Sequence, residues 1–124
     1  MHPLIQRLLT DCAYPHLNSA DALAAHLATP GTHCLFIPGD AVRNLETADA
    51  AVILPELREG FQGRFDCAVI GDAIEAALRE TTGALKTPSF VFFRNGTLLG
   101  AIPKVRDWDD YLTRTSHILG LTPA

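Results

Sequence analysis

The feature that most narrows the fold of this 124-residue chain is a pair of apolar runs near its end. Ser89-Phe90-Val91-Phe92-Phe93 and Thr97-Leu98-Leu99-Gly100-Ala101-Ile102 are separated by little more than Asn95-Gly96. Asn-Gly tolerates the positive φ angles that a two-residue turn between right-twisted strands demands, so the segment predicts an antiparallel hairpin. Asn95-Gly96-Thr97 also matches a glycosylation acceptor, but its place between two apolar runs makes a tight turn the better reading. A lone hairpin is marginal in water, so the rest of the chain must cover it.

The covering elements can be read in order. Leu4, Ile5, Leu8 and Leu9 share a helical face over roughly residues 2–10, and a weak extended stretch follows from Cys12 to Leu17. Ser19 can cap a helix with Ala20, Leu23, Ala24 and Leu27 on one side, ended by Pro30-Gly31. Cys34-Leu35-Phe36-Ile37 is a continuous apolar run closed by Pro38-Gly39, as in a strand covered on both faces. Asp40 to Ala50 is polar and without clear period. Helical spacing resumes at Ile53, Leu54, Leu57 and Phe61 up to Gly60 or Gly63, and Pro55 must sit in the first turn or kink the helix.

Phe65 to Ile70 reads as another strand. Gly71-Asp72 then opens a helix with Ile74, Ala77 and Leu78 inward, ending at Gly83. After the hairpin, Asp107 is expected to cap a last helix with Asp110 at its third position. That helix would turn Trp108, Tyr111, Leu112, Thr115, Ile118 and Leu119 to the core and stop at Gly120. The order predicts an α/β fold: one domain over 1–124, with a mixed sheet of about five strands flanked by helices on both faces. At 48% hydrophobic residues the chain can build that core without staples.

Charge and cysteine usage exclude several roles. A formal net charge of -4 provides no basic field for phosphates, so neither nucleic acid nor an anionic membrane is an expected partner. Cys12, Cys34 and Cys67 lie 22 and 33 positions apart, neither a disulfide framework nor a zinc spacing. They suit a reducing cytoplasm, and the short apolar stretch before Asp11 predicts no export signal or membrane anchor. Cys34 and Cys67 are expected to be buried hydrophobes, whereas Cys12 stays open. His2, His16, His26, His33 and His117 show no ligand spacing, so no metal site and no cofactor is predicted. Phe90, Val91, Phe92, Phe93, Trp108 and Tyr111 are read as core.

Leu85-Lys86-Thr87-Pro88 followed by Ser89 to Gly96 resembles the thioredoxin superfamily segment in which a proline begins a strand and an Asn-Gly turn closes a hairpin. Val52-Ile53-Leu54-Pro55-Glu56-Leu57 is similar to the proline-bearing second helix of thioredoxins, and Cys34 to Ile37 to their central strand. The resemblance spans roughly residues 30–120 and implies a thioredoxin-like fold with a cis Thr87-Pro88 peptide. Thioredoxins carry Cys-x-x-Cys at the junction of central strand and second helix, where a thiolate can attack. Here that junction, Pro38 to Ala51, has no cysteine.

Within the superfamily the chain is similar to the hydrogenase expression/formation family HyaE/HupG. The shared features are the missing cysteine pair, the extended junction, the Phe90–Gly96 hairpin and Asp107-Trp108. The resemblance implies a non-catalytic assembly chaperone for nickel-iron uptake hydrogenases. Its partner would be the hydrogenase small subunit, at its twin-arginine signal peptide, with other hydrogenase accessory proteins as further partners. The expected peptide-binding residues are Thr87 and Pro88, through strand addition, with Asp40, Glu46 and Asp49 facing guanidiniums. Glu56 and Glu59 extend the acidic cluster against Arg43 and Arg58, and a solvated helix face is its competing reading. Glu75 and Glu80, on another helix, should lie apart from the site. Two other functions compete: a thiol enzyme using Cys34 or Cys12, and a purely structural interaction domain. The oligomeric state is left open.

Overall fold

The computed structural model describes residues 2–121, so Met1 and 122–124 of the expected domain lie outside the described residues. The elements in order are α1 (Pro3–Thr10), β1 (His16–Leu17), α2 (Ala20–Ala28), β2 (Thr32–Ile37), α3 (Glu46–Gly60), β3 (Asp66–Ile70), α4 (Asp72–Thr82), β4 (Ser89–Arg94), β5 (Thr97–Pro103) and α5 (Trp108–Ile118). The five strands form one sheet in the order β1-β3-β2-β4-β5. β1, β3 and β2 run parallel, while β4 and β5 are antiparallel additions. β2 is central, as its unbroken apolar run predicts, and β1 is only two residues long.

Strand periodicity divides the core between the two faces. Cys34 and Phe36 of β2 face one layer with Phe90 and Phe92 of β4, covered by α1, α3 and α5. Leu35 and Ile37 face the other with Ala68, Ile70 and Val91, covered by α2 and α4. The first layer holds most of the aromatic volume: Phe65 meets Phe92 edge-on at 5.3 Å, Phe36 meets Phe90 at 5.6 Å, and Tyr111 closes over Phe90 at 5.5 Å. At the hairpin turn Asn95 and Gly96 have φ of 50° and 82°, the primed geometry expected of Asn-Gly. Thr87-Pro88 is cis.

Several helical details differ from the sequence reading. α3 begins at Glu46, seven residues before the apolar period becomes visible. Its buried positions Thr47, Ala50, Ala51, Leu54 and Leu57 do follow helical spacing, but the first three are small or polar and give no hydrophobic signal. Pro55 therefore sits inside the helix, where it deprives the Ala51 carbonyl of its usual donor. On α4, Ala77 is exposed, leaving Ile74 and Leu78 as the inward pair.

Asp107 occupies the N-cap of α5 without a side-chain bond, and Asp110 instead binds Arg114 with oxygens 2.9 and 3.0 Å from Nε. Trp108 is 41% exposed. As the first residue of α5 it lies beside Gly60 at the end of α3, while Tyr111, Thr115 and Leu119 carry the buried face. Ser19 caps α2 as expected, its Oγ accepting from the Ala22 N–H at 3.1 Å.

Candidate functional site

The segment between β2 and α3 has no regular structure, so its backbone groups need partners from elsewhere. The Pro38 carbonyl accepts from the buried Thr47 hydroxyl at 2.7 Å. The Gly39 N–H donates to Glu75 Oε1 at 2.7 Å. Asp40 Oδ1 accepts from the Val42 and Arg43 N–H groups at 3.0 and 3.4 Å. Asn44 faces two ways: its Oδ1 accepts from the Glu46 N–H at 3.1 Å, starting α3, and its Nδ2 donates to the Thr87 carbonyl at 2.6 Å. The junction is thereby tied to the strand entry at Pro88. Gly39, at φ +73°, passes so close to Thr87 that any side chain would strike it.

Lys104 completes this corner. It has a positive φ of 66°, its N–H donates to the Pro88 carbonyl at 2.7 Å, and its carbonyl accepts from the Tyr111 hydroxyl at 3.2 Å. Its Nζ lies 3.1 Å from Glu46 Oε2 and 3.5 Å from the Thr87 carbonyl. The Thr87 carbonyl thus has two donors from within the chain, whereas its N–H has no hydrogen-bond partner among the described residues. Glu46 is likewise paired. Asp40 is exposed and lies 3.6 Å from Arg43 Nε, and Asp49 is exposed one turn beyond Glu46 on α3.

Beyond the junction, at the carboxyl ends of the parallel strands, lies a cleft of about 920 Å³. Such ends are where open α/β sheets leave room for ligands. Ile5, Val42 and Val69 supply apolar lining, and Asp40, Asp72 and Glu75 supply three carboxylates. Glu75 is therefore part of the site, contrary to the expectation from its place on α4, because its side chain reaches back to Gly39. Asn18, also in the cleft wall, caps α4 from a distance: its Oδ1 accepts from the Ala73 N–H at 3.0 Å, a role the N-cap Gly71 cannot fill. Val42 and Leu45 project from the junction, 89% and 82% exposed.

Sequence reasoning missed Asn44, Asp72, Glu75 and Lys104. For Asn44 a signal existed, an Asn just ahead of a helix start, hidden in a stretch without apolar period. For Asp72, Glu75 and Lys104 there was none.

Residues 4–111 match the family model described as Hydrogenase-1 expression protein HyaE. The chain belongs to the HyaE family. It is 64% identical over 118 residues to the hydrogenase expression/formation protein HupG of Rhodobacter capsulatus, covering 95% of this chain and 86% of that one. The crystal structure of a HupG from Rhodopseudomonas palustris matches with a TM-score of 0.56 at 34% identity, covering 86% of this chain and 95% of the other. A thioredoxin variant from Halobacterium salinarum matches with a TM-score of 0.68 at 16% identity, over 88% and 93% of the two chains. That likeness shows the thioredoxin-like fold alone.

In this HyaE-family chain Cys34 lies only four residues before Pro38, yet it is inside β2 and fully buried, so it does not reach the junction as a reactive group. Cys34 and Cys67 are partners in the β2–β3 register and both are buried. Burial, with the Cys67 thiol beside it, pushes Cys34 well above the ordinary thiol range, which suppresses the attacking thiolate. Cys12 is half-buried. Among the described residues no helix is long and apolar enough to cross a membrane.

Proposed function

We propose that this protein is a non-catalytic assembly factor in the maturation of a nickel-iron hydrogenase and that it binds the hydrogenase small subunit at its twin-arginine signal segment. Family membership supports the hydrogenase pathway. The observation that carries the binding mode is the cleft at the cysteine-free junction, which sets three carboxylates beside apolar lining. A signal segment offers the complement, adjacent guanidiniums followed by an apolar stretch. In this reading the guanidiniums meet Asp40, Asp72 and Glu75, while Glu46, paired with Lys104, and the exposed Asp49 lie outside the cleft lining on α3. The apolar stretch lies over Val42 and Leu45, and the segment runs beside Thr87-Pro88 with a peptide carbonyl accepting from the Thr87 N–H.

The test is a titration of a small-subunit signal peptide against the wild-type chain and an Asp40→Lys, Asp72→Lys double variant, with Glu80→Lys as control. Exposed ion pairs contribute roughly 0.2–1 kcal/mol each, and replacing attraction by repulsion about doubles that. The double variant should therefore bind about 1–4 kcal/mol more weakly, with a larger loss at low salt. Equal affinities, or a loss indifferent to salt, would remove the acidic cleft from the reading. The non-catalytic assignment has its own check in reduction of insulin disulfides: turnover above that of a cysteine-free variant would make the protein a thiol enzyme.

A further inference from the structure

The opposite end of the sheet gathers three side chains that the sequence keeps far apart. His26 belongs to the last turn of α2, His33 to the start of β2 and Asp66 to the start of β3, where the parallel register sets His33 beside Asp66. Their donor atoms all lie within 4.8 Å of one another. His33 is buried and its ring is oriented from behind: Nε2 lies 2.9 Å from the Thr29 carbonyl and 3.1 Å from Thr29 Oγ1. The Thr29 hydroxyl already donates to the His26 carbonyl at 2.6 Å, so both groups facing Nε2 are acceptors and Nε2 carries the proton. This leaves the Nδ1 lone pair of the neutral ring aimed at Asp66 Oδ1, 2.8 Å away.

A ring lone pair and a carboxylate oxygen do not face each other at that distance without a positive charge between them. In the metal-free chain that charge is a proton. The third group shows that the position suits more than a proton. His26 Nε2 lies 3.4 Å from the same Asp66 oxygen, is shielded from solvent, and has no hydrogen-bond partner among the described residues. A buried ring nitrogen left unpaired calls for an explanation, and here it points at an oxygen already shared with a second histidine.

We propose that His26, His33 and Asp66 form a binding site for one divalent cation of the zinc class. Two imidazole nitrogens and one carboxylate oxygen are the donors such ions prefer, and a backbone carbonyl behind the Nε2–H of a ligating histidine fixes its tautomer as metal sites require. Bonds of about 2.0–2.2 Å separate tetrahedral ligands by roughly 3.3 Å. The 2.8 Å gap between His33 Nδ1 and Asp66 Oδ1 therefore has to open by about half an ångström, through the half-exposed Asp66 side chain. The two imidazole nitrogens, in a set that spans up to 4.8 Å, have to close by about an ångström, through rotation of the half-buried His26 ring. The proton is released to solvent, and water takes the fourth position. The ion would clamp the end of α2 to the starts of both central parallel strands.

Calorimetric titration of the full chain with Zn²⁺ alone tests this, together with ¹⁵N detection of the histidine rings. The expected result is one Zn²⁺ per chain, at least tenfold weaker binding in both H26A and D66N, and unchanged binding in H2A. The His26 and His33 ring signals should shift, and those of His2, His16 and His117 should not. H26A and D66N alter a half-buried and a half-exposed side chain, and their melting curves without metal report whether folding is intact. Absence of saturable binding, binding unchanged in H26A and D66N, or shifts confined to the other histidines would overturn the site. Equal binding of Mg²⁺ would overturn the ion class, because Mg²⁺ needs oxygen donors that this set lacks.

Discussion

The fifteen-residue β4–β5 hairpin and the eight-residue Pro38–Leu45 junction both adjoin Thr87-Pro88, yet they are held in different ways. The hairpin pairs its own two strands and its turn residues carry the φ angles it needs; its distant ties, β4 to β2 and Asn95 to Gly31, add to a shape already closed within fifteen residues. The junction bonds to Thr47, Glu75 and, through Asn44, to Thr87, residues up to 43 positions away. The hairpin is thus a local object that the core then buries. The junction is a surface assembled by its neighbours, and in this chain it joins β2 to α3 without a cysteine.

Substitutions in the two regions put that contrast at risk. The largest loss is expected at the core face of the hairpin. Phe92→Ala removes a fully buried ring packed edge-on against Phe65 and should lower the unfolding free energy by about 3–5 kcal/mol in urea titrations. Gly39→Ala comes next, at about 2–3 kcal/mol, because the methyl group meets Thr87 and the left-handed backbone disfavours any side chain. A Thr87→Ala background should return part of that loss; strict additivity of the two changes would mean that the Gly39–Thr87 approach is not what constrains the junction.

Thr47→Val strands the buried Pro38 carbonyl and should destabilise by about 1–2 kcal/mol. Gly96→Ala, strained only by its positive φ and open to solvent, should lose about 1 kcal/mol. Thermal unfolding that ranked Gly96→Ala above Gly39→Ala would erase the distinction between a locally closed turn and a remotely held one.

The same contrast explains how much could be read in advance. The hairpin, the central β2, the Ser19 cap, the Gly83 stop and the burial of Cys34 and Cys67 follow from residue type and spacing within a few positions. Trp108 was misread because the apolar stripe of α5 does not reveal that its first residue packs beside Gly60 at the end of α3 and stays 41% exposed, while the buried face is carried by Tyr111, Thr115 and Leu119. Thr87, Asp40 and Glu46 were legible as neighbours of the junction, but Lys104 against Glu46 and Glu75 against Gly39 were not, since nothing along the chain announces which distant side chain will meet an unpaired backbone group.

What the sequence determined by itself is the layered α/β arrangement. Period-two and helical apolar patterns, Asn-Gly and the glycine stops each act over one turn or one strand, where short-range sterics and side-chain burial decide. What only the tertiary structure decided is the chemistry at the two ends of the sheet. The acidic cleft needs Asp40, Asp72 and Glu75 brought together by the parallel strands, and the His26–His33–Asp66 cluster needs the β2–β3 register. Such convergence depends on the positions of strand ends in space, which are fixed by packing across the whole sheet and leave no periodic mark on the chain.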